Sequence, residues 1–441
     1  VTNLSTTLAR LRDAWGRPEV RRTAGSAGWL LADRALRLAG GLLVGLWVAR
    51  YLGPANFGAY NFALALSMLV ASVATLGLDS ILVRELVREP GREPELLGTA
   101  LLLRLGGALV ALLAIVAAAA ALRPGDGLSA ALTAIVGVGG LLQASTVVDL
   151  WFQSRVAARD AVLARNLAFL AAALLRVGLI LAGAPLVAFA AAYVAEALLG
   201  AIAVTAAYLR RGGRPLRWRA SAARARRLLA DSWPLILGGI LVNTYLRIDQ
   251  VMIGQILGDR ELGVYSAAVR LAEVLPLIPG AIIAATLPAV VAARQADPAL
   301  YAERLRRLYA LVVAIGYGCA LAATAAAGPL VALLLGPGFD AAVPQVVVLA
   351  WAGVFVGLGL ARSSFLTAEN YTRLHLATVA IGCAANVALN LLLIPAMGGL
   401  GAAVASLIGY WLAVHGACFL FPSLRPTGRA LTRALLYPKF W

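Results

Sequence analysis

The chain has 441 residues, of which 61% are hydrophobic and 13% charged, with a mean hydropathy of +0.86. A soluble domain carries roughly twice that charged fraction, so polar surface is too scarce for a water-soluble particle and most of the chain belongs in lipid. The formal net charge of +17 would suggest a nucleic-acid partner in a soluble protein; here its distribution along the chain decides.

Before the first apolar run, Leu4, Leu8, Leu11 and Trp15 recur at helical spacing beside Arg10, Arg12 and Arg17, which predicts a basic amphipathic leader over 1–25 lying on the membrane surface. Apolar runs of about 20 residues, the length needed to cross a bilayer, then fall near 26–49, 57–80, 96–121, 128–152, 162–183, 186–208, 229–257, 262–290, 306–328, 345–368, 372–394 and 399–420. The expectation is an all-α polytopic membrane protein of about twelve transmembrane helices. Two six-helix lobes, 26–208 and 229–420, are joined by a basic linker at 209–228 and followed by a tail at 421–441.

Arginine alternates from one connection to the next. The set holding both termini and the central linker carries Arg84, Arg88, Arg92, Arg155, Arg159, Arg210, Arg211, Arg214, Arg217, Arg294, Arg373 and Arg425, among others; the opposite set has only Arg50, Arg123 and Arg260. That asymmetry places both termini and the linker in the cytoplasm. It accounts for the charge by orientation and by contact with anionic lipids, without nucleic acid.

Several chemistries are excluded. Lys439 is the one lysine and Phe440 and Trp441 follow it, so no G-x-x-x-x-G-K-[ST] loop exists and no nucleotide is expected. Cys319, Cys383 and Cys418 lie in apolar runs without CxxC or CxxH spacing, and His375 and His415 stand apart from any ligand cluster, so no metal is expected.

The sequence repeats. Leu52-Gly53-Pro54-Ala55-Asn56-Phe57-Gly58-Ala59-Tyr60 joins spans one and two, and Leu257-Gly258-Asp259-Arg260-Glu261-Leu262-Gly263-Val264-Tyr265 joins spans seven and eight. Both read L-G-x-x-x-[FL]-G-x-Y, and each follows a span opened by Leu-Leu-Ala-Asp, at 30–33 and 228–231. An even number of spans per half makes this a parallel repeat, the architecture of two-lobed secondary transporters with a central site and alternating access.

These connectors, with Arg247-Ile248-Asp249-Gln250, Ile253-Gly254 and Gly263-x-Tyr265-Ser266-Ala267-Ala268-x-Arg270-Leu271, resemble the oligosaccharide (Wzx-like) flippases. Those belong to the multidrug/oligosaccharidyl-lipid/polysaccharide (MOP) exporter superfamily, and the resemblance covers roughly residues 26–420. It implies a V-shaped carrier in the bacterial cytoplasmic membrane that moves undecaprenyl-pyrophosphate-linked oligosaccharide to the outer leaflet. It also implies glycosyltransferases and a glycan polymerase as pathway partners. The lipid II flippases of the superfamily, with fourteen helices, fit less well.

Independently, Arg34, Arg37, Arg104, Arg176, Arg247, Arg270 and Arg362 fall inside predicted spans. At about 2.5–3.5 kcal/mol each for a guanidinium at a helix centre, they must snorkel or line a wet cavity. Arg104, Arg176 and Arg362 are close enough to span ends to snorkel. Asn243, Arg247, Gln250 and Gly254 form a polar stripe on span seven; Asn61, Ser72, Thr75 and Asp79 form another on span two; Arg34, Arg37, Gly41 and Gly45 share span one. Guanidinium forks hold phosphate oxygens bidentately, so Arg37 and Arg247 are expected as central ligands of the pyrophosphate. Arg34, Arg270, Asn243 and Gln250 are expected to support them. Arg270 has Glu273 at i+3 as a helix-surface partner. Asp79, Asp249 and Glu273 are candidates for coupling to H⁺ or Na⁺, and no cofactor is expected.

Two alternatives compete. A cation-coupled multidrug antiporter would place Asp33, Asp79, Asp149, Glu196, Asp249 or Glu273 in the cleft. A membrane-embedded polymerase or ligase would need a long outward loop with a catalytic constellation, and the outward connections are short. The chain is therefore not expected to be an enzyme.

Overall fold

The computed structural model describes residues 18–369 and 371–438, with side chains from residue 40 onward except at 158, 287–289, 291–293, 295–296, 298 and 367–368. The leader over 1–25 lies largely outside the described residues. The described chain is helical: α1 (Pro18–Leu69), α2 (Ala71–Thr75), α3 (Asp79–Arg88), α4 (Glu93–Leu122), α5 (Gly127–Leu142), α6 (Val147–Ser154), α7 (Ala158–Leu181), α8 (Leu186–Arg210), α9 (Ala222–Ile256), α10 (Asp259–Ala272), α11 (Leu277–Ala296), α12 (Pro298–Leu334), α13 (Ala342–Ala368), α14 (Thr372–Val414) and α15 (Arg425–Leu436).

Nine helices among the described residues are long and apolar enough to cross a membrane, or ten counting the broken run Gly40–Leu69 with Ala71–Arg88. Twelve were expected, and the difference is geometric. Helix continues through two connectors that the sequence reads as loops, and only one residue breaks it in each: Gly53 (φ 69°, ψ 171°) in α1 and Gly398 (φ 64°, ψ −145°) in α14. Dividing α1 and α14 there restores the expected pairs of spans.

Span two is less regular than its hydropathy suggests. The helix breaks after Leu69, and Leu76 (φ 53°) and Gly77 (φ 59°) both take left-handed backbone before α3 begins. The stripe Asn61–Ser72–Thr75–Asp79 assumes one unbroken helical period, so these residues do not form a continuous face. The Asn61 amide instead donates to the carbonyl of Phe57, 2.7 Å away on its own helix.

By packing, the chain divides into two compact units that do not coincide with the sequence halves. Among the described residues, one comprises the chain up to Gly41 with Ser72–Ala114 and Ile135–Ile236; the other comprises Leu42–Ala71, Ile115–Ala134 and the chain from Leu237 onward. In the first, Leu82, Leu86, Leu96, Leu97, Trp151, Phe152 and Tyr208 form a closed core. The segment expected as linker belongs to it: Pro215–Arg217 is a 3₁₀ turn, α9 already begins at Ala222, and Arg224, 5% exposed, donates to Glu89 through Nη1 (2.9 Å).

The second unit contains both repeated connectors, and they cross each other. A Cβ added at Gly58 would lie 1.8 Å from the carbonyl oxygen of Asp259; one added at Gly263 would lie 1.8 Å from that of Pro54. Pro54 and Asp259 hold the same place in the two connectors, so the contact is reciprocal. Gly53 and Gly258 also match: the latter has φ 84° and ψ −176°, a region essentially restricted to glycine. The repeat read from nine residues is thus a repeat of backbone geometry.

Side chains tie this crossing down. Arg123 reaches Asp259 (2.7 Å) and the carbonyl of Gly254 (2.9 Å) and lies over the Phe62 ring at 3.8 Å. Glu261 accepts from the backbone N–H of Gly399 (2.9 Å), and Arg50 donates to the carbonyl of Leu333 (2.8 Å). Two of the three arginines expected on the outward side therefore serve as clamps within this unit.

The expected tail is not a free tail. Within α15 Thr427, Gly428, Leu431 and Ala434 are buried at helical spacing, and Leu431 and Ala434 join a core with Leu308, Tyr309, Val312 and Leu358. The Tyr317 hydroxyl donates to the carbonyl of Leu435 at 2.9 Å.

Gly58→Ala and Gly263→Ala are expected to destabilise the protein by about 1–3 kcal/mol or more, because the added methyl meets backbone that cannot swing aside. Gly106→Ala, in mid-α4 with nothing within 4 Å of the added carbon, should be neutral or stabilising by about 0.5–1 kcal/mol. Thermal unfolding in detergent would show the opposite signs.

Candidate functional site

α9 carries a polar face running from Asn243 through Arg247 and Gln250 to Gly254. Asn243 and Arg247 are partly buried and Gln250 is 4% exposed. Arg247 forms an ion pair with Glu273 (Nη2–Oε1 2.7 Å), the two side chains being 20% and 47% exposed. Glu273 thus meets Arg247 on another helix, a partner that the i, i+3 spacing to Arg270 does not reveal. Arg270 lies against α1: a Cβ at Gly45 would come within 1.8 Å of its Nη1, and its guanidinium carbon is 5.6 Å from the centre of the Phe57 ring. Gly45 makes room for that guanidinium. The side chains of Arg34 and Arg37 lie outside the described residues.

Asp249 is 3% exposed and projects from α9 away from Arg247. It accepts from the Tyr265 hydroxyl, from Ser406 Oγ at 3.3 Å and from the backbone N–H of Gln250 at 2.8 Å. Beyond Ser406, Asn386 Nδ2 lies 3.4 Å from its hydroxyl and Asn390 donates to Asn386 at 3.1 Å. Asn390 Oδ1 is buried without a hydrogen-bond partner. This carboxylate is held by hydroxyls, with no arginine in ion-pair contact among the described residues. A buried carboxylate held only by neutral groups is costly when ionised, which makes it a natural seat for a proton or a small cation.

The first unit has its own charged interior. Arg104 is 1% exposed and donates to Asp79 and Thr146. Arg176 pairs with Glu196 at 2.7 Å, and Arg165 Nε donates to both oxygens of Asp149 at 2.8 and 3.0 Å. Neither Arg104 nor Arg176 snorkels. Arg362, in the second unit, does not either: at 1% exposure it donates to Thr378 (2.8 Å) and Cys418 Sγ (3.2 Å), and its Nε has no partner.

Together these contacts sort the charges. Asp79, Asp149, Glu196 and Glu273 are each neutralised by an arginine, and Asp249 is held by hydroxyls. Arg362 is a buried cation with no carboxylate in ion-pair contact among the described residues. Among the described residues no group of three or more His, Cys, Asp or Glu side chains is placed to hold a metal ion.

A family model described as polysaccharide biosynthesis protein matches residues 39–293. No curated protein matches the chain. Among solved structures, the chain is similar to an inward-facing multidrug-resistance MATE transporter of the MOP superfamily (16% identity, TM-score 0.72, covering 90% of this chain and 95% of that one). It is similar to the lipid II flippase MurJ in an inward closed conformation (13% identity, TM-score 0.72, 93% and 90%). A third is a MOP superfamily transporter from Pyrococcus furiosus, for which a reverse polarity of the binding pocket suggests a different function (15% identity, TM-score 0.65, 93% and 96%). At these identities the structures show a shared fold, that of the MOP transporters.

The Arg104–Asp79 pair is lopsided, with side chains 2% and 65% exposed. Asp79→Ala strands a buried cation, whereas Arg104→Met leaves a carboxylate that is already accessible. Asp79→Ala is therefore expected to be the more destabilising by about 1–3 kcal/mol, a ranking that detergent melting curves would check.

Proposed function

Because the chain belongs to the polysaccharide biosynthesis protein family, whose fold it shares with membrane transporters rather than enzymes, we propose that it is a flippase for undecaprenyl-pyrophosphate-linked oligosaccharide. It carries the headgroup from the cytoplasmic to the outer leaflet of a bacterial inner membrane by alternating access. The observation that carries this reading is the Arg247–Glu273 pair: a guanidinium within an apolar helix whose carboxylate partner is about half exposed, so that an anionic headgroup can enter the pair. A pyrophosphate presents oxygens that guanidinium forks match in shape and charge.

Within this reading Arg247 is the principal phosphate ligand, with Arg270, Asn243 and Gln250 on neighbouring positions. Glu273 is half exposed and acts as a placeholder: it satisfies Arg247 while the site is empty and yields to a diphosphate that carries more charge. The polyprenyl chain stays in lipid, so the protein moves only the polar end across the apolar layer. Asp249 is the coupling group. It takes up a proton or a sodium ion inside the Tyr265–Ser406 cage and links ion binding on one side of α9 to arginine exposure on the other. Glycosyltransferases supply the substrate and a polymerase consumes it.

The test is transport of fluorescently labelled undecaprenyl-pyrophosphate–disaccharide in proteoliposomes. Arg247→Ala is expected to lower the rate about 10–100-fold, the loss of one charge-assisted contact of about 1.5–3 kcal/mol. Arg247→Lys should retain part of it, since the charge stays and the fork is lost. Glu273→Gln should preserve transport. Full activity in Arg247→Ala at normal protein level would overturn the assignment.

Asp249→Asn should abolish the dependence of transport on an imposed H⁺ or Na⁺ gradient while leaving headgroup binding in place. The buried, arginine-free Asp249 favours one rival, a cation-coupled drug antiporter. Gradient-driven efflux of cationic dyes without transport of the lipid-linked sugar would establish that reading instead.

A further inference from the structure

A second cluster of arginines, none of them assigned to the transport site, lies in the first unit at the ends of α6 and α8. A cavity of about 850 Å³ opens there, lined by Glu93, Trp151, Tyr208, Trp218 and the arginines 155, 211, 214 and 217, among others. That volume is within the range of small-molecule pockets.

The floor is aromatic. Trp151 and Tyr208 meet edge to face at 4.8 Å, and Tyr208 and Trp218 at 5.6 Å. The polar edges of the floor are satisfied: Trp151 Nε1 donates to Glu93 (3.0 Å) and Trp218 Nε1 to the Tyr208 hydroxyl (3.1 Å). Two of the lining arginines are also engaged, Arg155 by Glu93 and Arg211 by Asp160.

The other two are not. Arg214 and Arg217 are exposed, and among the described residues neither has a carboxylate within ion-pair distance. Their placement is built into the backbone. Gly212 takes φ 81°, and a Cβ at Gly213 would sit 2.4 Å from the Tyr208 ring, so the chain folds down onto that ring and delivers Arg214 and Arg217 to the rim. The 3₁₀ turn Pro215–Arg217 then fixes their spacing.

We propose that this cavity binds a phosphoryl group at the membrane surface, gripped by Arg214 and Arg217 with its organic substituent on the Trp218–Tyr208 floor. The cavity sits where the apolar helices Gly127–Ser154 and Leu186–Arg210 end, the depth of lipid headgroups. An anionic phospholipid and a free phosphate are the two sources of that chemistry. Arg247 is not among the residues that line it, and the assignment does not require the transport reading to hold.

Native mass spectrometry of the full chain with phosphatidylglycerol, and calorimetry with inorganic phosphate, separate the sources. Arg214→Gln/Arg217→Gln is expected to weaken phosphatidylglycerol binding about tenfold relative to wild type, equivalent to about 1.4 kcal/mol. Arg226→Gln/Arg227→Gln, two exposed arginines outside the cavity, should leave it unchanged. A tenfold loss confined to inorganic phosphate assigns the site to the soluble anion and keeps the phosphoryl assignment. Unchanged binding of both probes, or an equal loss in the Arg226/Arg227 control, overturns it.

Discussion

Two glycines, Gly58 and Gly263, set the geometry of the second unit, because the repeated connectors meet there at a distance that admits no side chain. Several polar contacts depend on that closeness. Tyr265, two residues beyond Gly263, is carried inward to donate to Asp249. Arg270, less than two turns further on, reaches the gap left by Gly45. Arg123 fastens the 122–127 turn to the same place through Asp259 and Gly254. Backbone contact thus fixes the register of α9 and α10, and register determines which polar groups meet. The buried carboxylate Asp249 and the guanidinium of Arg270 are placed by a steric contact that involves neither of them.

Charge inside the apolar layer follows a consistent logic. An isolated guanidinium in lipid costs several kcal/mol, and snorkelling is the cheapest escape. This protein takes another route: Arg104, Arg176 and Arg165 turn inward to carboxylates or hydroxyls. Such pairs contribute little net stability, since desolvation offsets most of the attraction. They are expensive to break, however, and so hold helices in one arrangement. Arg247–Glu273 differs by being open on one side, and an ion pair with an exposed partner is the kind that a competing anion can enter.

Much of this was legible in the sequence. Hydropathy marked the spans because a bilayer imposes a length on each, and the repeat was visible because the crossing tolerates only glycine at two matched positions. Pairings were harder. The i, i+3 rule suggests Arg270–Glu273 because it compares neighbours on one helix, whereas Arg247 competes for Glu273 from another, and only tertiary packing decides. The break at Leu76 could not be read either, since leucine carries no signal for left-handed backbone; the stripe on span two failed for that reason. The helix at 425–436 did have a signal, with Leu424, Gly428, Leu431 and Ala434 at helical spacing. Arg425, Arg429 and Arg433 on the other face made the segment look like a soluble tail.

The matched conformations of Gly53 and Gly258, and the reciprocal contact beside them, bear on how such a duplicated chain diverges. Elsewhere in the two repeated segments a side chain can change without meeting its counterpart. At this crossing each copy is the wall against which the other is moulded. A methyl gained by either is felt by both, so the two positions are constrained as a pair where the repeated segments touch.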